Sequence, residues 1–336
     1  MRLMGWNANT NLTFGSFHID IAPIIIVAFF TTLLVFGTKI GARVDGAMTV
    51  LKIAIVFFVV IVGFFYVKAS NFTPFIPPSQ PASTGVMTQP LWQFATGMTP
   101  SVYGVPGILS GAALVFFAFI GFDVVATASE ETKNPHKNVP LGIGVGMLLI
   151  IVMYMLVAVV TTGMVSYADL AKQDSPSLAT AFELVGADWA AKIISFGIVL
   201  GLATVVMVLL LGLTRIVFAM SRDGLLPRGL SKTGKHGTPA ALQIVVGAVV
   251  ALVAAFFDIG VLSDMVNIGT LSAFTLVAIS IPIMRKKRPD LPRAFKMPGS
   301  PWIPILIAVA NFWLMLNLSV LTWIRFVVWL VVGFAI

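Results

Sequence analysis

The sequence predicts an all-α, polytopic membrane protein with nine transmembrane helices. Two observations carry that fold class. Of the 336 residues 58% are hydrophobic and only 10% charged, and the mean hydropathy is +1.01. A water-soluble domain has no interior large enough for that much apolar side chain. The apolar residues also fall into runs near the 20 or so that an α-helix needs to cross a bilayer, separated by short polar or basic segments.

Taken in order, the first span runs roughly over 19–37. A short basic turn with Lys39, Arg43 and Asp45 follows, then a span over about 47–67. A long connection, 68–107, is rich in Pro, Ser, Thr and Gly, with Lys68 as its charged residue. The third span covers about 108–128 and the fourth 141–163, with Pro140 preset for a helix start. A polar connector holds SPSLATAFELVG, which reads as a short surface helix with Ser175 as cap and Pro176 at its first position. The remaining spans lie near 192–220, 240–257, 263–284, 302–321 and 323–336, all within a single transmembrane domain.

The formal charge of +8 would suit nucleic acid if it were gathered on one surface. It is instead distributed over alternate loops: those near 38–52, 129–140, 215–238 and 285–301 hold 16 of the 21 Lys and Arg residues. By the positive-inside rule these loops and the C-terminus are cytoplasmic, and the N-terminus and the 68–107 loop extracellular. Partners are therefore the lipid bilayer and a solute, with no nucleic acid. The absence of cysteine removes disulfide and thiolate chemistry. His18, His136 and His236 are dispersed, so no metal or other cofactor is expected. No HExxH, GxSxG or Walker pattern occurs, which argues against an enzyme.

The chain is organised around GILSGAALVFFAFIGFDVVATASEETK, residues 107–133. Asp123 lies well inside its apolar run, and Gly121 interrupts the aromatic sequence before it. An acid and a glycine in mid-span are what a broken helix needs, because freed backbone groups must face ligand, water or protein. A continuous helix whose Asp pairs with a neighbour fits the spacing equally well. GILSG and GIGVG (142–146) have the small-xxx-small spacing of close helix packing. Asn11-Leu-Thr and Asn71-Phe-Thr match the glycosylation acceptor pattern, which is common by chance.

GAALVFFAFIGFDVVATASEETKNPHKNVPLGI (111–143) resembles the sixth transmembrane segment of the cationic amino acid transporter family, within the amino acid–polyamine–organocation superfamily. ARVDGAMTVLKIAIVFFVVIVGFFYVKASNFTPFIP (42–77), RIVFAMSRDGLLP (215–227) and PDLPRAFKMPGSPWIPI (289–305) are similar, in order, to its fifth segment, the end of its eighth and the loop into its eleventh. The resemblance implies a fold of two inverted five-helix repeats followed by two more helices. On that alignment the chain holds segments four to twelve, so the first three helices are missing and the sequence reads as an N-terminal truncation.

The resemblance also implies a function. Such proteins are amino acid permeases that work by proton-coupled alternating access on small neutral or cationic amino acids. A transport-inactive fragment of such a permease is the alternative. Substrate lies between two broken helices, of which this chain would hold one, with its break near Ala118–Gly121. The carbonyls of Phe117, Ala118 and Ile120 would take the substrate ammonium, and N–H groups past the break its carboxylate. Phe117 would also form an aromatic lid, with Phe116, Phe119 and Phe122 packing elsewhere. Asp123 would be a polar floor or a partner for a cationic side chain, and Glu130 and Glu131 interfacial ion-pairing groups.

Lys52 sits about five residues inside its span, roughly 7–8 Å at helical rise. From position alone it snorkels to the interface. The resemblance implies instead a proton-coupling residue, standing where sodium sits in sodium-coupled relatives, with Thr204 nearby. Met207 reads as packing; the resemblance places it against the substrate side chain.

Overall fold

The structure is a computed structural model. It describes residues 11–14, 17–36, 38–82, 85–122, 125, 132–173, 176–231, 239–257, 259–291, 293, 297 and 299–335. Asp123, Glu130 and Glu131 lie outside the described residues. The chain divides into two compact units, Met1–Pro74 with Val124–Glu130 and Gly142–Phe256, and Phe75–Asp123 with Glu131–Leu141 and Phe257–Ile336.

Among the described residues the fold is all-α but for two small antiparallel pairs. In the first unit β1 (Asn11–Phe14) pairs with β2 (Phe17–Asp20), with Asn11 opposite Asp20. Two helices follow, α1 (Ile21–Phe36) and α2 (Thr38–Phe64). The segment expected as a basic turn at Lys39, Arg43 and Asp45 is thus helical. Lys and Arg are good helix formers, so α2 continues beyond its apolar stretch, which begins only at Gly46.

The helix α5 (Pro135–Met164) contains Pro140 rather than starting at it. Pro135 takes the first helical position, where a missing N–H costs nothing. The next two helices are short, α6 (Tyr167–Ala171) and α7 (Leu178–Leu184). The cap of α7 is Ser177, whose hydroxyl accepts from the Thr180 N–H at 3.2 Å. The expected cap, Ser175, lies outside the described residues, and Pro176 precedes the true cap.

The unit closes with α8 (Asp188–Arg222), unbroken over 35 residues, and α9 (Ala240–Phe256). Hydroxyls on α8 return to their own helix: Ser195 donates to the Ala191 carbonyl at 2.8 Å and Thr214 to that of Leu210 at 2.7 Å. In a lipid-exposed span a polar group left without such a partner is costly. One core joins Val59 of α2, Val160 and Met164 of α5, Phe182 of α7 and Ile194 of α8. Another joins Val27, Phe30 and Leu34 of α1 to Leu210 of α8 and Leu242 of α9.

In the second unit the connection 75–103 is built rather than loose. It holds β3 (Gln80–Pro81), α3 (Leu91–Thr96) and β4 (Ser101–Val102), with β3 paired to β4. Then come α4 (Gly104–Val115) and, after the start of α5, α10 (Ile259–Lys287), α11 (Trp302–Leu316) and α12 (Val320–Ala335). The elbow between α11 and α12 falls at Asn317–Ser319, earlier than hydropathy alone places it. Ser319 sets it: its hydroxyl accepts from the Thr322 N–H at 3.2 Å and so caps α12.

The connection is stitched to that elbow. Leu91 N–H donates to the Leu318 carbonyl at 2.9 Å, Val320 N–H to that of Gln89 at 3.1 Å, and Leu321 N–H to that of Met87 at 2.9 Å. Trp92 Nε1 donates to Asn317 Oδ1 at 2.9 Å, and its ring stacks on Trp313. Ala113, Ile268, Leu271, Met315 and Leu318 form the core beneath.

Among the described residues four helices are long and apolar enough to cross a membrane: Gly46–Phe64, Pro135–Met164, Asp188–Arg222 and Ile259–Lys287. Five shorter apolar helices accompany them. Large apolar side chains stand on outward faces, with Phe65 81% and Phe334 89% exposed. Lipid is the solvent that makes those faces stable, so the molecule is a multi-pass membrane protein.

Candidate functional site

The expected break in the third span is a real departure from the α-helix. α4 ends at Val115, and Phe116–Phe119 form a single 3-10 turn. Ile120 is extended (φ −69°, ψ 138°), and Gly121 has φ +124°, a conformation that L side chains rarely adopt. Helical geometry resumes at Phe122. The Phe117 carbonyl accepts from Ile120 N–H at 3.2 Å, which closes the 3-10 turn and leaves that oxygen one further lone pair. Ala118 and the Phe117 ring, 42% exposed, face outward, while Ile120 is half-buried.

Two of the neighbouring rings pack on α10. Phe116 meets Phe274 edge-on, with centroids 6.1 Å apart, and Phe122 packs on the same ring at 5.3 Å. Both therefore anchor the interrupted segment to α10, and Phe117 is left clear of that packing.

Lys52, Thr204 and Met207 belong to the first unit. Lys52 is half-buried, with its stem along α8: a Cβ built on Gly201 would lie 3.7 Å from its Cγ and 3.9 Å from its Cε. Thr204 is buried, and its hydroxyl donates to the Gly201 carbonyl at 2.9 Å. Both side chains thus converge on one residue of α8. Met207, one turn further on, is buried in the apolar cluster with Phe30 and Leu210.

Sequence reasoning missed why α2 and α8 approach so closely. Gly197 and Gly201 lie one turn apart on α8, facing Ile55 and Lys52 of α2, and a Cβ on Gly197 would clash with Ile55. The pairs GILSG and GIGVG do not play that part. Nothing lies within 4 Å of a Cβ built on Gly111, Gly142 or Gly146, and Gly107 meets only the Val102 backbone, at 3.6 Å. A glycine's packing partner has no signature in its own sequence.

A family model described as amino acid permease matches residues 5–336. This chain belongs to the amino acid permease family.

Relatives within the amino acid permease family carry several substrate names. The chain is 42% identical over 324 residues to a branched-chain amino acid permease of Bacillus subtilis (strain 168), covering 96% of this chain and 64% of that protein. It is 39% identical over 310 residues to a methylthioribose transporter of the same organism, covering 92% of this chain and 61% of that protein. A vacuolar cationic amino acid transporter of Arabidopsis thaliana is 35% identical over 273 residues, covering 81% and 42%. The chain thus spans less than two thirds of the length of each of these relatives. By its description the family is one of transport proteins.

The first unit of this family member also holds a cavity of about 630 Å³ lined by Tyr66, Lys68, Asn71, Ser166 and Asp169, among others. Asn71, Ser166 and Asp169 are committed to structure. Asn71 Nδ2 donates to the Gly163 carbonyl at 2.8 Å, which ties the glycosylation-like Asn71 to the end of α5. Ser166 caps α6 and donates to Asp169 Oδ2 at 2.7 Å, while Lys172 Nζ lies 3.0 Å from Asp169 Oδ1. The Ser166 hydrogen bond, with Lys172 second, holds the Asp169 carboxyl below the ordinary aspartate range. Among the described residues no cluster of His, Cys, Asp and Glu could hold a metal ion.

Proposed function

We propose that this protein is a proton-coupled amino acid permease working by alternating access, with the interrupted helix at 116–121 as the cradle for its substrate. The observation that carries the proposal is that break, in a chain of the amino acid permease family. A continuous helix keeps its carbonyls within its own ladder. Here the extended Ile120 and the positive φ of Gly121 turn backbone groups off the helix axis. Backbone carbonyls at the end of one half-helix suit an ammonium group, and N–H groups at the start of the next suit a carboxylate.

In this reading Phe117, Ala118 and Ile120 present those carbonyls, and the Phe117 ring covers the bound substrate. Asp123 adds a polar wall. Met207 limits the room for the substrate side chain, and Lys52, with Thr204 beside it, loads and releases the proton. The substrates are small neutral or cationic amino acids. The branched-chain name of the bacterial relative at 42% identity favours aliphatic neutral ones. The basic loops and the C-terminus face the cytoplasm, and the N-terminus of the chain faces outside.

The test is uptake of labelled leucine, alanine and arginine into proteoliposomes under an imposed pH gradient. An acid exterior, on the side of the 68–107 connection, should drive accumulation that excess unlabelled amino acid suppresses. Lys52→Ala should lower the gradient-driven rate at least tenfold and flatten its pH profile. A normal pH profile in Lys52→Ala removes the coupling assignment. Failure of all three amino acids to accumulate removes the substrate class.

A further inference from the structure

The second unit holds an open cavity of about 570 Å³, within the size range of small-molecule sites. It lies between the stitched connection, the first turns of α4, the N-terminal end of α10 and the α11–α12 elbow. Its polar lining includes Gln93, Ser110, Asp264, Asn317 and Ser319, with apolar walls such as Leu114. We propose that this cavity is a binding site for a small aliphatic solute carrying a primary ammonium group.

Two independent features point to a ligand. The first is Gln93, which is 1% exposed and has neither its amide nitrogen nor its amide oxygen hydrogen-bonded. A buried amide without partners is costly to keep, and this one lines a cavity. The second is Asp264, the carboxylate of the described lining. One of its oxygens accepts from the Thr322 hydroxyl at 3.1 Å, and Thr322 is in turn held by Ser319 at 2.7 Å. That chain fixes the carboxylate and leaves acceptor capacity on it, because an ionised carboxylate has about four lone-pair sites.

The sign and the kind of ligand follow. No Lys, Arg or His is among the described lining residues, so an anion would face a carboxylate with no cation to offset it. A divalent ion asks for six or so hard oxygen ligands around one point, and the mainly apolar wall does not provide them. A primary ammonium has three N–H donors. Asp264, the Gln93 amide oxygen and the Ser110 and Ser319 hydroxyls are acceptors for them, and the apolar wall suits a short aliphatic chain. Asn317 is not free to join. Its amide donates to the Trp313 carbonyl at 2.8 Å and accepts from Trp92, which makes it a fixed part of the wall.

The ammonium group is common to simple amines and to amino acids, and probes separate the two sources. The 336-residue chain in lipid nanodiscs is titrated by calorimetry with isobutylamine, L-valine and isobutyrate. Isobutylamine should bind and isobutyrate should not. Competition by L-valine assigns the site to amino acids, and its absence assigns it to amines. Asp264→Asn should weaken isobutylamine binding at least tenfold while the helical circular dichroism is kept. Equal binding by wild type and Asp264→Asn, or no binding by wild type, overturns the proposal. If Asp264→Asn does not fold, Gln93→Glu decides: the added carboxylate should tighten isobutylamine binding severalfold, and an unchanged affinity overturns the site. Lys52, Phe117 and Met207 do not line this cavity. Probe binding here and proton-driven uptake can therefore fail separately.

Discussion

The helix α8 and the interrupted segment 104–122 both depend on glycine, for opposite reasons. On α8, Gly197 is helical and buried, and the space beside it is already taken by Ile55. At Gly121 no described residue lies within 4 Å of a built Cβ, and the backbone is what a side chain cannot follow. The first glycine lets two helices approach; the second lets one helix stop. A structural glycine and a site glycine are therefore told apart by which of the two, room or conformation, is missing.

Substitutions break that comparison in order of size. Gly197→Leu forces a side chain into the α2–α8 contact and should destabilise the protein by about 3 kcal/mol, at the upper end of overpacking. Thermal unfolding followed by size-exclusion chromatography in detergent reads the loss. A melting temperature equal to wild type would mean that α2 and α8 are not held at that contact. Gly121→Ala adds one methyl group that no described residue crowds but forces a strained φ, at a cost of about 1–2 kcal/mol. It should also lower amino acid uptake more than its effect on stability explains, because the segment escapes strain by re-forming helix. Gly142→Ala lies on α5 with neither restriction. It should stabilise the protein by about 0.5–1 kcal/mol through helix propensity alone. If Gly121→Ala behaved like Gly142→Ala, the positive φ would not be a requirement of the fold.

Much of the architecture was legible because hydropathy reports directly on burial in lipid. The apolar helices announce themselves as runs of Val, Ile, Leu and Phe. The break was half legible: the glycine of FFAFIGF permits it, but a continuous helix fits the spacing equally well, and only the family resemblance favours the break. Signals that depend on a partner elsewhere were not legible. The stitches from Met87, Gln89 and Leu91 to residues 318–321 are backbone hydrogen bonds, which any side chains permit. The close approach at Gly197 depends on Ile55, more than 100 residues earlier in the chain. Local signals misled by a few residues where two candidates compete, as with Pro135 against Pro140 and Ser177 against Ser175. In both cases the structure uses the residue adjoining the helix that forms. The cavity at Asp264 had no sequence signature, because Gln93, Asp264 and Ser319 come from three distant segments.

Those same stitches carry a consequence for how the protein is made. The Trp92 ring finds its hydrogen-bond partner 225 residues further along the chain. A ribosome delivers residues 86–96 long before α11 and α12 exist. The connection must wait, across the insertion of every intervening helix, for its docking surface to emerge. Its backbone donors and acceptors stay hydrated in the meantime, and the wall of the Asp264 cavity is completed only when α11 and α12 arrive. Assembly of this unit thus waits for α11 and α12, which act as its clasp.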